Sequence, residues 1–205
     1  MFEFGTIRYR AIEKEDLKYV HEWENDYDLF LYLRGGTPLH FITLEQIENE
    51  YNDLLKDKNR IRFIVENIGD NNVLGLANIS MREGSVKSAE IGVSIGAKNQ
   101  WNKGLGKLIT LGLLEMLFYH RSFEKVSAGS TEFNKRAHKV LEYCGFKKEG
   151  ELRRSGKLYG KYYSRYLFGI IYEDYMQSRE KLLKDTLKDK YDQYSQMTNQ
   201  LMLSL

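Results

Sequence analysis

The stretch Gln100-Trp101-Asn102-Lys103-Gly104-Leu105-Gly106-Lys107 follows an alternating segment, Ala89–Ile95, and opens an apolar segment that runs to about His120. The alternation predicts a strand, and the apolar segment predicts a helix. Glycines at the turn let the backbone approach a ligand closely, and the first N–H groups of a helix have no partner within it. Because these donors lie at the positive end of the helix dipole, the stretch predicts a cradle for a phosphate or pyrophosphate.

The glycine spacing argues against two common nucleotide-binding loops. The chain has no G-x-x-x-x-G-K-[ST] motif, which excludes the nucleoside-triphosphate loop. It has no third glycine at the dinucleotide spacing and no obvious acidic partner for a ribose. Taken alone, the pair of glycines is better explained by a tight turn that packs a helix on a sheet.

A second segment, Asn134–Phe146, changes this balance. Its apolar residues recur at helical spacing, and Asn134 and Gly145 suit the N-cap and the position after the helix end. The apolar face consists of Ala137, Val140, Leu141 and Cys144. Together with the first stretch, this segment resembles the GNAT superfamily of N-acetyltransferases over about residues 6–171, with RimJ/RimL-type and spermidine acetyltransferases the most similar groups. The resemblance is carried by Glu90-Ile91-Gly92, Trp101-x-Lys103-Gly104-x-Gly106, Asn134…Leu141-Glu142-x-x-Gly145-Phe146 and Glu149-Gly150-x-Leu152-Arg153.

The chain departs from the family pattern in two places. Trp101 stands where many members carry Gln or Arg, and the loop Ala97–Gln100 is one residue longer and lacks the common proline. The resemblance implies an α/β fold with three layers, in which a mixed, mostly antiparallel sheet with splayed central strands is flanked by helices. The pattern predicts strands at 6–10, 62–67, 73–81, 89–95, 125–131, 146–152 and 163–170, and helices at 13–24, 43–56, 103–120 and 134–144.

The resemblance also implies where acetyl-CoA binds. Backbone groups of Val93, Ser94 and Ile95 would pair with the pantetheine arm, and Asn134 would contact that arm besides capping its helix. The pyrophosphate would lie on the N–H groups of Trp101, Asn102, Lys103, Gly104, Leu105, Gly106 and Lys107. The side chains of Lys103 and Lys107 would add charge, although solvated helix lysines explain them equally well.

Glu90 is the candidate general base. It shares a strand face with Gly92 and Ser94, so a lightly covered cleft could lie beside it. The alternative is an ordinary strand carboxylate paired with Arg82 or Lys87. The general acid is open, because Leu141 stands where many relatives carry Tyr, which leaves Ser130 or solvent.

Three residues are candidates for the acceptor pocket, with ordinary loop roles as the alternative: Arg34, Tyr159 and Tyr162. The four histidines show no metal-ligand spacing with Cys144 or with acidic residues, so we expect no metal site. A net charge of +2 does not require nucleic acid or a membrane as a partner. No apolar run reaches transmembrane length, and a single cysteine suits a reducing compartment, so we expect a cytoplasmic protein.

These observations predict an acetyl-CoA-dependent N-acetyltransferase with direct transfer in a ternary complex. The expected acceptor is a protein N-terminus, because position 141 lacks the tyrosine. The alternatives are a small amine, such as a polyamine, amino sugar or aminoglycoside, and a non-catalytic CoA-binding regulatory module.

Residues 172–205 contain neither Gly nor Pro and predict a long amphipathic helix beyond the acetyltransferase domain of residues 1–171. Its apolar seam consists of Met176, Leu183, Leu187, Tyr194, Met197 and Leu201. Either the chain's own domain or a second subunit must cover this seam, and we expect a homodimer because residues 6–171 already account for a complete domain.

Overall fold

A computed structural model of the chain describes residues 1–34 and 41–203, with side chains excepted at 33, 34 and 201–203. The described residues form one eight-stranded sheet in the order β1-β2-β3-β4-β5-β6-β8-β7. The strands are β1 Phe2–Phe4, β2 Ile7–Ala11, β3 Arg60–Asn67, β4 Val73–Arg82, β5 Ser88–Ile95, β6 Lys125–Thr131, β7 Lys147–Leu158 and β8 Lys161–Ile171. All neighbours are antiparallel except β5 and β6, which run parallel.

Helices cover both faces of the sheet, which confirms the predicted three-layer α/β fold. The helices are α1 Leu17–Glu24, α2 Tyr27–Arg34, α3 Leu44–Lys56, α4 Leu105–Leu114, α5 Lys135–Tyr143, α6 Tyr172–Leu187 and α7 Tyr191–Leu203. One core packs α1 and α3 against Ile64 and Leu76 of the sheet. A larger core on the other face surrounds α4, whose residues from Ile109 to Leu114 are all buried.

The central strands separate, as expected from the family resemblance. β5 pairs with β4 along its whole length, from Ser88 to Ile95. It pairs with β6 only from Ser88 to Glu90. Beyond Glu90, one edge of β5 therefore faces a gap between the two halves of the sheet, and this gap holds the candidate site.

The residues after Ile171 form two helices rather than the single long helix that the sequence predicted. Lys188 interrupts them with a φ of 48°, in the left-handed region. Both helices pack on the chain's own domain, since Leu183, Leu187 and Tyr194 are buried in the larger core. Of the two covers considered for this seam, the chain's own domain is therefore the one that covers these three residues, and the preference for a second subunit is wrong for them. Of the rest, Met176 packs on the same core, Met197 is exposed and Leu201 lies outside the described side chains. The homodimer and the boundary at 171 stay predictions.

A buried carboxylate fastens the two C-terminal helices to α4. Glu115 begins a π-turn, Glu115–Tyr119, that continues α4, and it is 0% exposed. It accepts hydrogen bonds from the hydroxyls of Tyr175 (2.6 Å) and Tyr194 (2.7 Å) and from Nε and Nη2 of Arg179 (both 2.7 Å). None of the described helices is both long and apolar enough to span a membrane.

Candidate functional site

The gap between β5 and β6 is the mouth of a cavity of about 700 Å³. The structure gathers eleven of the twelve predicted catalytic and cofactor residues around it. They are Glu90, Val93, Ser94, Ile95, Trp101, Asn102, Gly104, Leu105, Gly106, Lys107 and Asn134. Lys103 is exposed and does not line the cavity. Its contribution of charge to CoA binding stays a prediction.

The two glycines of the turn before α4 have different structural roles. Gly104 has a φ of +86°, and an added Cβ would meet no atom within 4 Å. Its surroundings are therefore open to a ligand, and the left-handed backbone favours glycine. At Gly106 a Cβ would lie 3.2 Å from Cγ2 of Val140, so this glycine allows α4 to pack closely against α5.

The start of α4 suits an anion. The first N–H of this region to bond back within the helix is that of Leu108, which donates to the carbonyl of Gly104 at 3.2 Å. The preceding N–H groups, at Leu105, Gly106 and Lys107, are the ones that a helix leaves unpaired at its N-terminus. These three residues line the cavity beside the open space at Gly104, so the residues present fit the diphosphate of CoA.

Trp101 has a role that its sequence position did not reveal. Its indole N–H donates to the carbonyl of Ile95 at 2.8 Å. Of the three residues whose backbone was expected to pair with the pantetheine arm, Ile95 therefore has its carbonyl already bound. The carbonyl of Ser94 lies against Gly75 of β4, so Val93 is the better backbone candidate.

An aromatic and cationic cluster spans the cleft beside Trp101. The guanidinium of Arg136, on α5, lies 4.3 Å from the ring centre of Trp101 and 4.5 Å from that of Tyr32, on α2. Asn134 caps α5 by accepting from the N–H of Ala137 at 3.2 Å, and its amide donates to the carbonyl of Tyr32 at 3.5 Å. Sequence reasoning found Asn134 but missed Tyr32 and Arg136. The position of Arg136 two residues after the cap was the available signal.

Glu90 lies at the point where the strands separate, between two guanidinium groups. It forms an ion pair with Arg82, and its other oxygen lies 3.7 Å from Nη2 of Arg165. The side chain of Glu90 is 29% exposed and lines the cavity. Of the two partners considered for an ordinary strand carboxylate, Arg82 is present, whereas Lys87 donates to the carbonyl of Arg121 instead.

Two hydroxyls on β6 are buried at the cleft without a partner. Among the described residues, Oγ of Ser130 and Oγ1 of Thr131 are the buried side-chain polar atoms that lack a hydrogen bond, and both residues line the cavity. Leu141 also lines the cavity, where a tyrosine would have supplied an acid. Ser130 therefore stays the side-chain candidate for the general acid, and solvent stays the alternative.

Two of the three predicted acceptor residues do not line the described cavity. Tyr159 and Tyr162 lie on the β7–β8 hairpin, are 73% and 57% exposed, and do not line the cavity. The hydroxyl of Tyr159 bonds that of Tyr27 at the start of α2, and Arg154 lies over the ring of Tyr162. The turn of the hairpin thus contacts Tyr27 of α2 rather than the cavity, which the sequence could not show. The side chain of Arg34 lies outside the described residues. The cleft is lined instead by Arg62, Asn78, Ser80 and Arg165.

Metal binding has no support in the described part of the chain, where no group of three or more His, Cys, Asp or Glu could hold an ion. The positive charge of the cleft comes from Arg and Lys side chains on α4, α5 and the sheet: Arg62, Lys107, Arg136, Lys139 and Arg165. The carboxylates of the same described lining are those of Glu24 and Glu90. This charge suits an anionic ligand such as CoA.

Comparison with known proteins gives a consistent result. Residues 6–147 match the family described as "Acetyltransferase (GNAT) domain". The chain is 25% identical to a spermidine N(1)-acetyltransferase of Vibrio cholerae, over 86% of this chain and 99% of that protein. It is 28% identical to a prophage-derived uncharacterized N-acetyltransferase of Bacillus subtilis, over 83% and 92%.

Solved structures share the fold. A spermidine N-acetyltransferase of Vibrio cholerae in complex with CoA and spermine superposes with a TM-score of 0.75 at 24% identity, over 83% of this chain and 98% of that one. An acetyltransferase of Bacillus anthracis superposes with a TM-score of 0.70 at 23% identity, over 83% and 98%. The family match, the splayed strands and the anion cradle lead to one conclusion: the chain belongs to the GNAT family and is an N-acetyltransferase that uses acetyl-CoA.

Proposed function

We propose that the acceptor of this N-acetyltransferase is a small-molecule primary amine. The observation that carries the proposal is a single cavity in which the anion cradle at Gly104 and the polar side chains around Glu90 lie together. The curated relatives support it, because those with a named substrate are spermidine acetyltransferases and match nearly the whole of this chain. They favour the small-amine alternative over the protein N-terminus that the sequence alone suggested.

In the proposed arrangement, the cradle binds the diphosphate of acetyl-CoA and the walls of the cleft bind its pantetheine arm. The N–H groups of Leu105, Gly106 and Lys107 bind the diphosphate, and the backbone of Val93 pairs with the pantetheine arm. When bound, acetyl-CoA supplies the acetyl group as an activated thioester. Asn134 holds the start of α5 against the arm, and Lys103 contributes only long-range charge.

Glu90 accepts the proton of the acceptor ammonium, directly or through one water, so that the neutral amine can attack. Replacing Glu90 by Gln is expected to lower kcat by roughly ten- to ten-thousand-fold near pH 7, the usual range for a general base. The loss should shrink at high pH, where more of the amine is already neutral. Affinity for CoA should stay near wild type, because Glu90 lies away from the cradle.

The competing role for Glu90 is that of an anchor for Arg82 and Arg165. Arg82→Gln is the matched control, because it breaks the ion pair and leaves the carboxylate. Unchanged turnover in Glu90→Gln near pH 7 would show that the carboxylate is an anchor only. The substrate class is tested by acetyl-CoA turnover with polyamines, amino acids, amino sugars, aminoglycosides and N-terminal peptides. Activity confined to peptides would overturn the small-amine proposal, and CoA binding without turnover would favour a regulatory module.

A further inference from the structure

Arg165 extends from β8 across the face of β6 into the cleft. It is paired with Thr131 in the sheet, yet its guanidinium reaches Glu90 on the far side of β6. The strand between them carries Gly129, where an added Cβ would lie 2.6 Å from Nε and 2.8 Å from Cζ of Arg165. A glycine inside a strand weakens the strand and marks a close approach. Here the missing side chain provides the path that Arg165 takes into the cleft.

Within the described chain, the N–H donors of the Arg165 guanidinium have no close hydrogen-bond acceptor. Its contact with Glu90 is 3.7 Å, which is too long for a hydrogen bond. Within the described chain it donates no other hydrogen bond, its side chain is 40% exposed, and it lines the cavity. A guanidinium carries five N–H donors in a planar fork that matches a carboxylate or phosphate with two parallel bonds. Arg165 therefore presents an oxyanion site beside the candidate base.

From this geometry, and on the basis of the proposed function, we propose that the acceptor amine carries an oxyanion and that Arg165 binds it. Glu90 and Arg165 then form a pair of opposite charges that matches a substrate with an ammonium group at one end and an oxyanion close to it. Arg82, on the other side of Glu90, offsets the carboxylate and weakens its attraction for a substrate that is only cationic.

The charge of the cleft distinguishes this acceptor from a polyamine. The described lining has more cationic than anionic side chains, and the cations that the sheet contributes to it are Arg62 on β3 and Arg165 on β8. A polyamine would place its further ammonium groups near these guanidinium groups, and like charges brought together in a cleft disfavour binding. Spermidine, the substrate in the names of the relatives, is therefore expected to be a poor acceptor for this chain.

The test compares matched amines that differ by one anionic group. Suitable pairs are phenylalanine with phenethylamine, lysine with cadaverine, and phosphoethanolamine with ethanolamine, together with spermidine. We expect kcat/KM to favour the anionic member of at least one pair by roughly ten- to a hundredfold, the loss expected for a charge-assisted hydrogen bond. The preferred pairs show whether the oxyanion is a carboxylate or a phosphate.

Two variants assign the preference to Arg165. Arg165→Gln removes the fork, and Gly129→Ala displaces it without removing it, so both should reduce the preference for the anionic member towards one. Arg153→Gln is the control, because Arg153 is exposed on β7 outside the cavity. Calorimetry of the anionic amine binding to the CoA-saturated protein gives a readout independent of turnover, and the two variants should weaken that binding.

The outcomes separate this inference from the proposed function. If no small amine is acetylated, the proposed function fails. If small amines are acetylated but the anionic members show no advantage, if spermidine is the best acceptor, or if Arg165→Gln keeps the preference, the function stands and the oxyanion site is refuted.

Discussion

Replacing Glu115 by Gln tests whether the buried carboxylate holds the C-terminal helices in place. The substitution keeps the shape of the side chain but removes the charge that receives four hydrogen bonds. The partners remain donors in the folded state, since burial, followed by the nearby carboxylate, raises the pKa of Tyr175 and Tyr194. Burial is the largest single influence on Arg179 and lowers its pKa, but the hydrogen bonds to Glu115 and the charge interactions around it together outweigh burial and raise that pKa.

The expected loss is large because Glu115 is fully buried and Arg179 is largely covered. Glu115 is 0% exposed and the side chain of Arg179 is 18% exposed, so Gln would leave a guanidinium without its counter-charge in the core. Breaking a buried pair from one side costs about 3–5 kcal/mol. This is a large part of the roughly 5–15 kcal/mol that stabilises a typical domain.

Urea unfolding followed by circular dichroism measures this loss. With a slope of about 2–3 kcal/mol per molar, the midpoint should fall by roughly 1–2 M urea. Glu180→Gln is the matched control, since Glu180 and Lys184 form an exposed pair on α6 of a kind that contributes little. Replacing both partners, Glu115→Leu with Arg179→Met, should destabilise less than Arg179→Met alone. A midpoint for Glu115→Gln no lower than that for Glu180→Gln would refute the reasoning.

Three further predictions concern single residues. CoA at one hundred times its Kd should raise the unfolding free energy by roughly 2.7 kcal/mol. Gly104→Ala should reduce this increase, measured against the unfolding free energy of the same variant without CoA. An equal increase in the variant would show that the turn at Gly104 does not bind CoA. Burial lowers the pKa of His138, so as pH falls this histidine takes up a proton in the unfolded chain before it does so in the folded one. The free energy of unfolding should therefore fall below about pH 6.5, and it should fall less steeply with pH in His138→Gln. Burial raises the pKa of Cys144 to about 12, so a thiol reagent at pH 8 should react only after unfolding, and rapid labelling of the native protein would contradict the burial.

Local sequence patterns were sufficient to predict where helices begin and end. Asn134 caps α5 and Gly145 follows its end with a φ of +92°, as the sequence predicted. Thr43 likewise caps α3 and exchanges hydrogen bonds with Gln46 in a capping box. In each case the decisive interaction spans only a few residues, so its pattern can be read directly.

Signals that depend on packing were less reliable. Leu44 and Leu55 of α3 are large and apolar, yet they are 47% and 66% exposed, because α3 covers the sheet along a narrow stripe around Ile47 and Leu54. The helix Tyr27–Arg34 was missed altogether. Its contribution to the site, Tyr32, depends on contacts with Trp101 and Arg136 about seventy and one hundred residues away.

The acceptor side of the site was the least predictable part. Arg165 reaches Glu90 only because β8 adds beside β6 and because Gly129 leaves the path open. Neither condition leaves a periodic pattern in the sequence. The backbone cradle could be predicted, in contrast, because the strand, turn and helix that form it are contiguous.

The cradle and the buried carboxylate lie at opposite ends of the same helix, which links the C-terminal helices to the site. α4 begins at the cradle, packs against α5 at Gly106, and receives a hydrogen bond from the hydroxyl of Tyr9 to the carbonyl of Ile109 at 2.6 Å. These contacts hold its first half independently of Glu115. Loss of the Glu115 network should therefore lower the stability of the whole fold while leaving KM for acetyl-CoA nearly unchanged in the fraction that remains folded. A rise in KM that parallels the loss of stability would show instead that the C-terminal helices set the position of the cradle.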